Sequence, residues 1–153
     1  MKTTISNVIK ILFVLCVKIC FANHPTPYES VQTLRPFADE GWYYNAKQLH
    51  NLINKYEVKT ILEVGSWLGK STIDLARRLP EDGKIYAVDH WLGSAENQEG
   101  QLHHSPHLPY LYEQFLSNII HAGLTGKVIP IRMHSCDAAK STEIPLELDL
   151  IYI

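Results

Sequence analysis

Two short apolar runs, separated by one helix-length stretch, constrain this chain more than any other feature. Thr60-Ile61-Leu62-Glu63-Val64 ends at Gly65, and Lys84-Ile85-Tyr86-Ala87-Val88-Asp89 ends in a carboxylate. Runs this short, bounded by turn residues, are what strands buried in a parallel sheet look like. Between them Ile73, Ala76 and Leu79 recur at helical spacing until Pro80 and the Glu81-Asp82-Gly83 turn stop the pattern.

The alternation continues on both sides. Leu49, Leu52, Ile53 and Tyr56 fall at i, i+3, i+4 and i+7, one face of an amphipathic helix. Leu111, Phe115, Leu116, Ile119 and Ile120 mark a further helix, with Gly123 or Gly126 placed to close it. A third strand is expected over 127–133 and a fourth over 148–153. Strands alternating with helices imply right-handed crossovers and a parallel sheet covered on both faces. The expected class is therefore α/β, a Rossmann-like doubly wound parallel sheet of about four strands, incomplete at the last one. A length of 153 residues suits one small domain.

The first 22 residues differ in kind. Lys2 and Lys10 precede or flank a run from 11 to 22 that is apolar except for Lys18, and Ala22 closes it. A basic start, a short apolar core and a small residue before the cut describe an export signal, so residues 1–22 are expected to be one and the remainder exported; without that signal the chain would be cytoplasmic or membrane-anchored. Residues 23–41, with Pro25, Pro27, Pro36 and Gly41 and no steady period, read as a linker or lid segment ahead of a domain over 42–153. The formal net charge is −2, and −5 without Lys2, Lys10 and Lys18. Such a body has no footprint for nucleic-acid phosphates, which demand clustered Lys and Arg. Cys16 and Cys20 fall in the signal, which leaves Cys136 alone and excludes an internal disulfide in the mature chain.

The chemistry concentrates in Glu63-Val64-Gly65-Ser66-Trp67-Leu68-Gly69-Lys70-Ser71, between strand and helix, with Asp89 tipping the next strand. In a doubly wound sheet ligands bind beyond the carboxyl ends of the strands. Glycine there lets backbone approach a ligand, and an acid at the second strand's tip can accept hydrogen bonds from ribose hydroxyls. A P-loop needs four residues between its glycines, and Gly65 and Gly69 are separated by three. A dinucleotide site wants Gly-x-Gly-x-x-Gly, where this chain has bulky Ser66-Trp67. A nucleoside ligand without phosphates fits better.

These residues resemble the first motif of the class I methyltransferases, Glu/Asp-x-Gly-x-x-x-Gly, and most of all a small O-methyltransferase-like branch. The resemblance covers about residues 42–153 and implies S-adenosylmethionine as cofactor. It implies that Glu63 orients the turn and the methionine amino end, and that Gly65, Ser66 and Gly69 line the cofactor, together with Trp67 and Ser71 of the same turn. It also implies that Asp89 holds the ribose, that His90 and Trp91 flank the adenine, and that Ser135, in the segment 128–139 that looks like the family's third strand and turn, sits near the adenine edge. Family members continue past the strand seen at 149–153, so the chain corresponds to the N-terminal, cofactor-binding portion, with the last strand an exposed edge open to self-association or to a missing C-terminal half. The activity implied is methyl transfer to a small-molecule acceptor, through oxygen.

Other readings stand beside this one. His103, His104 and His107 form a compact cluster, but a Pro-containing loop without Cys or spaced carboxylates reads as a solvated, pH-responsive loop rather than a zinc site. Trp67 and Trp91 could serve packing as readily as a ligand, and Cys136 could be a core thiol or face the cofactor pocket. Ser71 has no placed base for nucleophilic catalysis. Rival functions are a non-catalytic nucleoside-binding or interaction module and a nucleotide-processing enzyme with a degenerate P-loop.

Overall fold

The computed structural model describes residues 26–153, so the expected signal at 1–22 lies outside the described residues. Four parallel strands form one sheet: β1 (Thr60–Val64), β2 (Lys84–Asp89), β3 (Val128–Arg132) and β4 (Leu150–Tyr152), in the order β3-β2-β1-β4. The register lines up Val128, Ile85, Ile61 and Leu150 in one row across the sheet, and Pro130, Ala87, Glu63 and Tyr152 in the next row on the same face.

Helices α1 (Ala46–Tyr56), α2 (Lys70–Arg78) and α3 (Leu111–Ala122) pack with that face around Ile61, Ile85 and Ala87 in the main core. The passage from β1 to β2 to β3 moves one way across the sheet, and successive right-handed crossovers then place their helices on one side. The return from β3 to β4 falls on the other side. There Val88, Ile131 and Ala138 make a small second core, helped by half-buried Leu62, Val64 and Tyr86. Its helix, α4 (Ser135–Ala138), is a single turn at a place where sequence pattern indicated only a strand-to-loop transition. The sheet is thus flanked by helices as expected, with the smaller core on its second face.

One expectation changes. Of the α1 face, Leu49 and Ile53 are buried whereas Leu52 and Tyr56 are exposed, so the helix presents a narrower i, i+4 stripe. Residues 26–41, expected as part of a linker or lid segment, make specific contacts with the rest of the fold. Tyr28 is 2% exposed, and its hydroxyl donates to the Val128 carbonyl at 2.9 Å. Farther on, the extended backbone of 35–38 lies along α3 as a strap. Ser117 Oγ accepts from Arg35 N–H (3.1 Å), Gln114 Nε2 donates to Pro36 O (2.8 Å), and Asn118 both accepts from Ala38 N–H (3.1 Å) and donates to Ala38 O (2.9 Å). Gln114, Ser117 and Asn118 share one side of the helix, opposite its apolar stripe, and all are buried. Among the described residues no helix is long and apolar enough to cross a membrane.

Candidate functional site

The sheet order changes direction beside β1, because the chain goes from β1 to β2 on one flank and later returns to β4 on the other. That is where an open α/β sheet leaves a crevice at the carboxyl ends of its strands. The turn after β1 fills one wall of it.

Two glycines make this turn possible. Gly65 has φ +89° with open space where a Cβ would stand, and its N–H donates to Val88 O at 2.9 Å, extending the sheet by one bond. Gly69 has φ +88°, and a Cβ there would lie 3.1 Å from the Phe115 ring, so both conformation and space require glycine. Trp67, between them, has φ +48°, and Trp91 after β2 has φ +50°. Left-handed backbone is costly for bulky side chains and persists only where its surroundings enforce it. Asp89 enforces both. Its Oδ2 accepts from Trp67 N–H at 2.9 Å and its Oδ1 from Trp91 N–H at 2.7 Å. A carboxylate has about four acceptor positions, so two remain for a ligand.

Beneath the turn lies Glu63, 0% exposed. Ser71 and Thr72, on the first turn of α2, donate their hydroxyls to its two oxygens. Burial raises the pKa of this carboxyl above its ordinary 4.5, against the lowering effect of the hydroxyls of Ser71, Thr72 and Ser66. Ser66 Oγ is buried close to Glu63 but makes no hydrogen bond of proper geometry. It is a polar atom with capacity to spare.

The site residues named from sequence separate into three groups. Glu63, Gly65, Ser66, Trp67, Gly69, Ser71 and Asp89 come together at the ends of β1 and β2. His90 and Ser135 stand farther toward β3: the His90 ring lies against that of His134, centroids 4.8 Å apart and planes tilted by 47°, and Ser135 is exposed at the start of α4. Trp91 departs from its implied place beside an adenine. It is 2% exposed, packed 4.8 Å from Tyr112 and from Phe115, and its Nε1–H donates to Trp67 O at 2.7 Å. Its ring braces the turn from inside. Cys136 is exposed on α4, neither a core thiol nor part of the turn.

A cavity of about 430 Å³ opens beside the turn. Its floor is Gly65, Ser66, Trp67, Lys70 and Ser71. The strap contributes Glu40, Gly41 and Trp42, and the loop after β2 contributes Glu96, Asn97, His103, His104 and Ser105. The strap and loop touch one another. His107 Nε2 lies 3.1 Å from Glu40 Oε1, and the Trp42 ring meets His103 edge-on at 5.0 Å. Sequence periodicity could not find these loop and strap residues, because none repeats with the period of a helix or strand. The His-His-x-x-His spacing was the only signal there. Its residues do not converge: among the described residues no group of three His, Cys, Asp or Glu is arranged to hold a metal ion.

A second cluster lies behind α2. Asp74 accepts from Tyr43 Oη at 2.7 Å and from His50 Nε2, and Arg78 Nε is 4.0 Å away. Burial would raise the Asp74 pKa, but the hydrogen bonds from His50 and Tyr43 and the neighbouring positive charges hold it below its ordinary value. The cluster ties the segment before α1 to α2.

A family model described as a methyltransferase domain matches residues 62–153. Among solved structures, a Klebsiella pneumoniae protein provisionally classed as an O-methyltransferase is 26% identical, with a TM-score of 0.52 over 76% of this chain and 45% of that one. The O-methyltransferase TomG of Streptomyces achromogenes, solved with SAM, is 22% identical with a TM-score of 0.53, over 74% of this chain and 44% of its own. A Bacillus cereus O-methyltransferase solved with SAH gives 24% and 0.54, over 74% and 45%. The chain spans less than half the length of these structures. No curated protein matches.

Proposed function

The chain belongs to the methyltransferase domain family, and from that premise we propose that it binds S-adenosylmethionine at the crevice between Gly65 and Asp89 and takes part in methyl transfer to a small-molecule acceptor, through oxygen. The observation that carries this reading is the pairing of Gly65, whose open face admits a ligand, with Asp89, which is fixed by two backbone amides and still has acceptor positions for ribose hydroxyls.

The residues present suit an adenosyl group without phosphates. The cation nearest the turn, Lys70, faces the Asp39 carboxylate at 3.6 Å, so the turn offers no unopposed positive charge to a triphosphate. Ser66 Oγ supplies an unused polar atom at the floor, and His90 and His134 offer ring faces on the β3 side. Bound adenosylmethionine would supply an electrophilic methyl group on a sulfonium. The chain's own contribution is positional: the Glu63–Ser71–Thr72 bonds fix the turn against α2, and Asp89 fixes it against β2. Holding reactants in line is worth about 7–11 kcal/mol in well-aligned systems. The oxygen acceptor follows from likeness to O-methyltransferases.

Calorimetry of the full chain with S-adenosylhomocysteine and, separately, with ATP and magnesium tests the reading. Saturable binding of S-adenosylhomocysteine with weak or no binding of ATP is expected. The reverse result would instead favour a nucleotide-processing enzyme.

A further inference from the structure

The cavity beside the turn shares Gly65 and Ser66 with the cofactor reading, but its remaining walls have a character that reading does not use. Four aromatic rings reach it: Trp67 from the floor, Trp42 from the strap, and His103 and His104 from the loop. Two carboxylates, Glu40 and Glu96, line it as well, against one ammonium group, that of Lys70. Lys70 is opposed by Asp39 outside the cavity, and Glu40 is engaged by His107. Glu96 has no ion-pair or hydrogen-bond partner among the described residues. The floor also holds the buried Ser66 hydroxyl, which makes no hydrogen bond of proper geometry. With the histidines neutral, the cavity is acidic, aromatic and short of partners.

Aromatic faces attract cations, and a nearby carboxylate adds to that attraction. We propose that this cavity binds a positively charged arylalkylamine, a flat aromatic ring carrying an alkylammonium group, with its ring between Trp42 and Trp67 and its ammonium group toward Glu96. On the reading given above, on which this step rests, that molecule is the methyl acceptor. A hydroxyl oxygen on its ring would donate an electron pair to the methyl carbon, the C–S pair would stay on sulfur as a thioether, and the hydroxyl proton would leave to solvent. Gly65 and Ser66 are common to the cavity and the proposed cofactor seat, whereas Asp89, His90 and Ser135 do not line the cavity, so the acceptor would lie next to the adenosyl group across that shared floor.

Three probes that share a ring and differ in charge test this: tryptamine, tryptophol and indole-3-acetate, titrated into the full chain at pH 8, where histidine side chains are ordinarily neutral. Tryptamine is expected to bind at least ~5-fold more tightly than tryptophol, with indole-3-acetate weakest. Glu96→Gln, a change at an exposed and unpaired side chain, should bring tryptamine to within about twofold of tryptophol. Trp42→Ala should weaken all three probes. Equal affinities, tightest binding of indole-3-acetate, or no binding of any probe would overturn the proposal. The titrations are run without and with saturating S-adenosylhomocysteine; the ranking is expected in both, and loss of all probe binding in its presence would mean that probe and cofactor compete for one seat, which would overturn the acceptor site. If tryptamine selectivity appeared without any binding of S-adenosylhomocysteine, the methyl-transfer reading would fall and the ligand class would stand.

Discussion

Asp89 does two jobs with one carboxylate. It holds Trp67 and Trp91 in left-handed backbone, and it keeps lone pairs for a ligand. Asp89→Ala should therefore weaken S-adenosylhomocysteine binding at least tenfold, since hydrogen bonds to a charged group contribute about 1.5–3 kcal/mol. An unchanged dissociation constant by calorimetry would remove Asp89 from the site. Glu63 offers a different test. Its folded pKa is raised, so between the ordinary value near 4.5 and the raised one the native state holds more protons than the unfolded chain. The resulting stability is complete below that range and declines as pH climbs through it. Asp74 and Asp149 have lowered pKa values, so they act in the opposite sense, and only as pH falls through and below their ordinary 3.8. Glu63→Gln should thus lose the decline: urea midpoints of wild type and variant should diverge as pH climbs above the ordinary 4.5, with wild type falling behind. Parallel profiles would contradict a raised Glu63.

At the scale of elements, α3 shows what a periodicity argument reads and what it passes over. Leu111, Phe115, Leu116 and Ile119 give the apolar stripe that sequence spacing identifies, and all four are buried. The polar side of the same helix is buried too, because Gln114, Ser117 and Asn118 satisfy the backbone of the strap. Polar residues on a helix ordinarily signal solvent, so nothing in their spacing distinguished a docking face from a wet one. Asn118 also donates to Leu68 O at 2.8 Å, which links strap, helix and glycine turn through one amide. Asn118→Ala would leave the Ala38 N–H and both carbonyls without their partner. The expected loss is about 3 kcal/mol in urea unfolding, at about 1–3 kcal/mol for each stranded buried group. A loss under about 1 kcal/mol would mean the strap contributes little.

For the whole molecule, the four strands and the meeting of the Gly65 turn with Asp89 were legible because they depend on short-range patterns: apolar runs, a glycine bend, a terminal acid. The strap, the loop wall of the cavity and the inward turn of Trp91 were not, because each depends on contacts between residues far apart in sequence. His107 and Glu40 are 67 positions apart, and Arg35 and Ser117 are 82 apart. The exposed side chains of Ile151 and Ile153 at the β4 edge agree with the exposed last strand that the family resemblance implied. The account as a whole rests on a ligand seated across the ends of β1 and β2. Amide chemical-shift mapping of the full chain during titration with S-adenosylhomocysteine observes that seat directly. The shifts should centre on Gly65, Ser66, Trp67, His90 and Ser135 and leave α1 unmoved. Saturation without movement at Gly65 and Trp67, or movement confined to the Tyr43–His50–Asp74 cluster, would contradict it.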